Sequence, residues 1–127
     1  MMRIARLLSG LVLSLACSAV LGLEILPYSP QAVAAGRDAD EPFALQFHSE
    51  WCATCKEQTR VFKLLAEESG LDMKLFIVDF DHDRSTVRAY KVPVSAVVIV
   101  FRGKLERARL FAVSDRDKLR DGLKKAF

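Results

Sequence analysis

Apolar residues along this chain fall into two patterns, short continuous runs and stripes at helical spacing, separated by polar turns. Phe43-Ala44-Leu45-Gln46-Phe47 predicts a short buried strand with aromatic ends. After His48-Ser49-Glu50-Trp51-Cys52 the period changes: Cys55, Thr59, Phe62, Leu65 and Ala66 share one helical face, while Lys56, Arg60, Lys63 and Glu67 fall elsewhere. That predicts a helix of about 15 residues, ended near Gly70 by a left-handed turn. Met73 to Phe80 is the continuous apolar run of a strand buried on both faces. Asp81 to Ser85 predicts a loop, followed by a short helix with Val87 and Tyr90 inward that Pro93 interrupts. Val94 to Phe101 is the most β-prone stretch, Arg102-Gly103-Lys104 a turn, and Leu105 to Phe111 a partner strand. Ser114-x-x-Asp117 has the form of a capping box opening a last helix, with Leu119, Leu123, Ala126 and Phe127 on its apolar face. The order β-α-β-α-β-β-α combines a crossover with a terminal hairpin. It predicts an α/β fold: a small mixed sheet of about four strands with helices on both faces. Phe43, Phe47, Phe62, Phe76, Phe80 and Phe101 are core by spacing, whereas Trp51, just before a turn, is expected to be partly exposed.

The N-terminal third has a different pattern. Leu7 to Leu23 is a run of 17 residues with no charged side chain, preceded by Arg3 and Arg6. Pro27 and Pro30 then read as helix breakers, and Val33-Ala34-Ala35 offers the small residues of a cleavage site. Residues 1–35 are therefore expected to be a secretory signal peptide cleaved after Ala35, with an earlier cut after Ala19 as the alternative. An uncleaved membrane anchor is the other reading, although a bilayer span needs about 20 apolar residues. Either way the basic residues stay on the cytoplasmic side and the rest of the chain is exported, the bacterial periplasm being the expected compartment. Residues 36–42, Gly-Arg-Asp-Ala-Asp-Glu-Pro, read as a linker, which leaves residues 43–127 as the folded domain.

Composition narrows the function. The chain has 127 residues, 51% of them hydrophobic, enough for one domain once the leader is set aside. The formal net charge of +3 conceals a partition: residues 36–83 hold 5 basic and 11 acidic side chains, residues 84–127 hold 12 and 4. Folding interleaves such charges, but the partition also admits electrostatic steering of a charged partner. No aromatic residues are interleaved with the basic ones as single-stranded nucleic acid would require, so nucleic acid is not an expected partner. Membrane contact is expected only through the N-terminal segment, and the domain is expected to be a monomer.

Three cysteines are encoded, and Cys17 lies in the leader. The remaining pair, Cys52 and Cys55, closes almost no loop as a disulfide, so chain entropy gives it little stabilising value. Its placement where a strand feeds a helix gives it chemistry instead. Unpaired N–H groups and the positive end of the helix dipole stabilise a thiolate there, lowering a cysteine pKa from about 8.5 to roughly 3.5–7.5. Cys52 would be the exposed residue of the first turn. Cys55, three positions on, lies on the same side and deeper.

Trp51-Cys52-Ala53-Thr54-Cys55-Lys56 at such a junction, with Phe47, the strand end Val78-Asp79-Phe80, Tyr90-Lys91-Val92-Pro93 and the hairpin at Gly103, resembles the thioredoxin superfamily, in particular its exported members. The resemblance spans residues 43–127. It implies a thiol:disulfide oxidoreductase in which Cys52 attacks a substrate disulfide and Cys55 resolves the mixed disulfide, the two alternating between dithiol and redox-active disulfide. It also implies that Trp51, Val92 and Pro93 shape the substrate-binding surface, that other proteins supply the disulfides and the redox partner, and that no cofactor is needed. Three departures stand out. The usual first strand and helix are expected to be lacking. The family's buried Asp, six residues before the first cysteine, is Gln46, which cannot titrate, so that a water or Glu50 would have to take its place. Pro93 is the candidate for the family's cis-proline, while alignment on the strand Val97 to Phe101 would put Ala96 there with a trans bond. The intervening Ala53-Thr54 has no His to favour the thiolate, which points to a reductant or a mid-potential exchanger.

The alternatives are a thiol site for copper or zinc and a binding module whose disulfide does not turn over. A structural zinc wants four ligands, and only His48 and His82 could join the two cysteines. His48 reads as a sheet-end residue close enough to Cys52 to influence a thiolate. His82 with Asp79, Asp81 and Asp83 reads as a solvated loop, because the glycine and distal glutamate of a calcium loop are missing.

Overall fold

The computed structural model describes residues 22–127. Its elements are β1 (Leu23–Pro27), α1 (Pro30–Asp38), β2 (Pro42–His48), α2 (Ala53–Leu65), β3 (Met73–Asp79), α3 (Arg84–Ala89), β4 (Val97–Arg102), β5 (Leu105–Phe111) and α4 (Arg116–Lys124). They form a five-stranded sheet in the order β1-β3-β2-β4-β5. β1, β3 and β2 are mutually parallel, and β4 and β5 run antiparallel to β2 and to each other. Side chains alternate across each strand, so the sheet carries a core on each face. On one face Val61, Phe62 and Leu65 of α2 and Leu119 and Leu123 of α4 pack on Ala44, Leu75, Val98 and Val100. On the other, Val33 of α1 and Val87 of α3 pack on Phe43, Leu45, Phe47, Phe76, Val78 and Ile99. The continuous apolar runs of β2 and β4 are the sequence trace of this two-sided burial.

From β2 onward the predicted element order holds. The start of the chain does not follow expectation: the sheet has five strands rather than about four, and a strand and a helix precede β2. Both are built from residues assigned above to the leader and the linker. Leu23, the last residue of the uncharged run, is buried and opens β1, which pairs with β3 from Leu23↔Met73 to Pro27↔Ile77. Pro30 does not break a helix; it begins one, at the position where its missing N–H is not needed, with Ser29 as N-cap accepting from the Ala32 N–H at 3.2 Å. The small residues at 33–36 let α1 lie close to the sheet: Val33 and Gly36 are buried, and a Cβ on Gly36 would stand 3.6 Å from Phe43. The supposed linker is thus the end of α1 and a tight turn in which Asp40 takes a φ of 54°.

Two boundaries move slightly. α2 stops at Leu65, and Gly70, at φ 94°, turns the chain toward β3. The N-cap of α4 is Asp115, whose carboxylate accepts from the Lys118 N–H at 2.9 Å, rather than Ser114.

Candidate active site

Parallel strands deliver their C-terminal ends to one edge of the sheet, and there β2 passes into α2. Ser49 pins the connection: its hydroxyl donates to Asp81 in the β3–α3 loop at 2.7 Å and accepts from the Trp51 N–H at 3.3 Å, while its carbonyl accepts from the Cys52 N–H at 3.2 Å. The chain is held against its neighbour by the Phe80 N–H donating to the His48 carbonyl at 2.9 Å. This turn presents Trp51, 92% exposed, and places Cys52 at the N-cap of α2.

The two cysteines form a disulfide across a Cα–Cα distance of 5.2 Å. Their environments differ. Cys52 is partly exposed, whereas Cys55 is fully buried. The Cys55 N–H donates to Cys52 Sγ at 3.1 Å, so sulfur occupies the place where a capping oxygen ordinarily meets the orphan N–H groups of a helix. On reduction a negative charge on Cys52 would be met by that N–H and by the helix dipole, while Cys55 would stay shielded, 3.8 Å from the Phe47 carbonyl oxygen. One sulfur is therefore accessible and anion-stabilised, and the other is within bonding reach behind it. That is the division of labour between an attacking and a resolving thiol.

Beneath the pair lies a polar layer within the core. Gln46 is fully buried, and its amide donates to the Cys55 carbonyl at 3.3 Å and to Gln58 Oε1 at 3.1 Å. Gln58, also fully buried, donates to the Ala96 and Val113 carbonyls at 3.0 and 2.9 Å. Gln46 Oε1 has no hydrogen-bond partner, and Gln46 borders a cavity of about 180 Å³ that His48, Glu50 and Thr59 also line. His48 Nε2 lies 3.2 Å from Glu50 Oε1 and its Nδ1 3.5 Å from the Thr59 hydroxyl, which donates to the Cys55 carbonyl. His48 is thus a sheet-end residue linked to the turn of helix that carries Cys55.

Cys52, Cys55 and Trp51 stand together at the redox turn, while Val92 and Pro93 lie in the segment between α3 and β4. Val92 is buried in the core beneath α3, where its side chain packs on the sheet, so it cannot present that side chain to a substrate. Pro93 is exposed and stands four residues before β4; among the described residues no peptide bond is cis. The residue that abuts the redox turn is Ala96, at φ 62°, whose N–H donates to the Phe47 carbonyl at 2.9 Å. Gln58 was not singled out from sequence, although a polar side chain three positions after Cys55 on an apolar helix face was the available signal. His82 is exposed and bonded through Nδ1 to Asp79 at 2.9 Å, in keeping with a solvated loop. Among the described residues no group of three or more His, Cys, Asp or Glu side chains converges to hold a metal ion.

A Cys-x-x-Cys disulfide at a helix N-cap, on a mixed sheet covered by helices on both faces, defines a thiol:disulfide oxidoreductase. The family model described as thioredoxin matches residues 31–125, and the chain belongs to that family. Thioredoxin-1 of Drosophila melanogaster is 31% identical over 80 residues, covering 63% of this chain and 74% of that protein. The thioredoxin of Chlamydia trachomatis is 31% identical over 75 residues, covering 59% and 72%. Among solved structures, Trxlp from Edwardsiella tarda is similar with a TM-score of 0.74 at 24% identity, covering 79% of this chain and 98% of that one. The family match begins inside α1, in agreement with a domain that includes the first helix.

Proposed function

We propose that this thioredoxin-family protein works outside the cytoplasm, most simply in a bacterial periplasm, as a monomer that reduces or exchanges disulfides of other exported proteins. The observation that carries the chemistry is Cys52 as a partly exposed N-cap whose sulfur accepts the Cys55 N–H, with Cys55 buried behind it. Cys52 thiolate attacks one sulfur of the substrate disulfide and releases the other as a thiolate. Cys55, once deprotonated, then attacks Cys52, which frees the second substrate thiol and leaves the Cys52–Cys55 disulfide for a partner dithiol to reduce.

Export is supported by Arg3 and Arg6 followed by the uncharged run from Leu7 to Leu23. Residues 1–21 lie outside the described part, and no helix among the described residues is long and apolar enough to cross a membrane. Cleavage after Ala35 would remove β1 and most of α1, so this proposal takes the cut after Ala19, or an uncleaved anchor, as the form compatible with the fold. The electron-donating direction is supported by the Ala53-Thr54 dipeptide, which offers no charged partner that would over-stabilise the thiolate. Equilibration with dithiol buffers tests it: a reduction potential between about −270 and −180 mV fits a reductant or exchanger, and one near −120 mV contradicts it.

A further inference from the structure

A groove of about 630 Å³ opens beside the redox turn, on the side of the edge strand β1. Ile25, Leu26 and Pro27 of β1 and Ile77 of β3 supply apolar lining. Glu50, Asp79 and Asp81 supply carboxylates, and among the described residues no Lys or Arg lines the groove. Trp51 also borders it, so the groove runs up to the residues immediately before Cys52.

Each of the two rim histidines is engaged with a carboxylate. His48 faces Glu50 and His82 faces Asp79, each at hydrogen-bond distance. Partial burial works against ionisation of Asp79, but hydrogen bonds from the His82 side chain and from the His82 and Asp81 N–H groups outweigh it and hold the carboxyl below its ordinary range. Asp81 is anchored by the Ser49 hydroxyl. Asp79 and Asp81 are therefore held beside an apolar floor, with the exposed Glu50 on the rim.

The charge partition of the sequence acquires a direction in the fold. β1 and β5 are the opposite edges of the sheet. The acidic groove lies at the β1 edge, while Arg107 and Arg109 stand on β5 and Arg116, Lys118, Arg120 and Lys124 on α4, the helix near it, with Arg109, Arg116 and Arg120 partly compensated by Glu106, Glu68 and Asp117. Such a separation draws a positively charged partner toward the β1 side, where the groove borders the redox turn.

We propose that this groove receives the substrate segment flanking the attacked cysteine, and that it selects segments in which an aliphatic side chain stands next to Lys or Arg. The aliphatic group covers the floor formed by Ile25, Leu26 and Ile77, and the cation meets the carboxylates of Glu50, Asp79 and Asp81. This inference rests on the oxidoreductase reading above and adds a substrate class to it.

The test uses three synthetic peptide disulfides that differ only beside the cysteine, carrying Leu-Lys, Leu-Glu or Gly-Lys, together with a small aromatic disulfide that is too compact to reach the groove. Turnover is followed with a chemical dithiol as electron source. At an ionic strength of about 0.01 M the Leu-Lys peptide should exceed the Leu-Glu peptide in kcat/KM by about tenfold and the Gly-Lys peptide by a smaller factor, and the first gap should shrink at about 1 M. Glu50 is exposed and makes its one side-chain contact with His48, so Glu50→Lys can be made without disturbing the core; it should cut the Leu-Lys preference at least threefold. Preferences within twofold, or a preference that salt and Glu50→Lys leave unchanged, overturn the groove assignment while turnover of the aromatic disulfide upholds the oxidoreductase reading. Failure to turn over any of the four overturns both.

Discussion

Gln46 donates to Gln58 Oε1 at 3.1 Å in the buried layer under the disulfide, and the pair can be oriented only one way. Gln58 spends its amide nitrogen on two carbonyls, of Ala96 and Val113, so its oxygen must face Gln46, and Gln46 must answer with its own nitrogen. The glutamine pair thereby ties α2 to the start of β4 and to the segment after β5. Gln58→Ala would take the side-chain donor from the part-buried Val113 carbonyl and leave the buried Gln46 amide without its Gln58 acceptor, while the Ala96 carbonyl would keep the Ala112 N–H at 3.0 Å. An unmet buried polar group costs about 1–3 kcal/mol, so a loss of about 2 kcal/mol is expected in urea unfolding. A loss below about 1 kcal/mol would mean that the Val113 carbonyl and the Gln46 amide find other partners.

Placing a titratable group in that layer should make stability depend on pH. In Gln46→Asp the carboxyl would occupy a fully buried site, and desolvation would raise its folded-state pKa above the unfolded value of about 3.9. With the folded form binding more protons, the variant loses stability relative to the parent as pH rises from about 4 toward the raised pKa, and the loss then levels off. Urea midpoints of parent and variant at pH 4.5 and pH 8 should diverge at the higher pH. A constant difference would show that the carboxylate is solvated there.

Glu68 gives the opposite sign. Hydrogen bonds from Arg120, at 2.7 and 2.8 Å, and from Arg116 hold its carboxyl at about 2, below the ordinary 4.5. A depressed folded-state pKa contributes stability above the unfolded pKa that is lost as pH falls through the window from about 4.5 to about 2. Because the site is exposed to solvent and salt, the effect is modest. Glu68→Gln should flatten part of the acid-induced decline in stability between pH 5 and pH 2.5, measured at low ionic strength. An unchanged acid profile would contradict a role for this cluster.

The N-terminal limit of the fold can be tested by truncation. A chain starting at Val20 keeps β1 and α1, while one starting at Gly36 loses all of β1, its five-residue pairing with β3, and the buried Leu23 and Val33. The first should melt cooperatively by circular dichroism, and the second should not. Equal melting of the two would show that β1 and α1 are dispensable.

Much of the site was legible because its chemistry is local. Cys52, Cys55 and Trp51 lie within five residues, and the change from strand to helical period marks the cap between them. From β2 onward the strands were legible because two-sided burial writes itself as continuous apolar runs. β1 and α1 were not, because Leu23 is continuous with the uncharged run of the leader, and because Ser29-Pro30, a helix start, has the same sequence appearance as a helix break. The buried hydrogen bonds of Gln58 were illegible for another reason. Gln58, Ala96 and Val113 are brought together only by the packing of α2 across the sheet, and hydropathy patterns do not record hydrogen bonds between distant segments. Family expectation names Val92 and Pro93 for the substrate surface; in the fold the Val92 side chain serves the core, Pro93 is exposed, and the Ala96 N–H donates to the Phe47 carbonyl.

The most direct test of the central assignment is covalent trapping. In Cys55→Ser the attacking thiol remains and the resolving one is gone, so incubation with disulfide-bonded proteins should accumulate mixed disulfides that mass spectrometry locates on Cys52, while Cys52→Ser accumulates none through the buried Cys55. If Cys55→Ser forms no adducts and the unaltered protein neither reduces nor oxidises a test disulfide, the assignment of Cys52 as nucleophile and Cys55 as resolving thiol is contradicted.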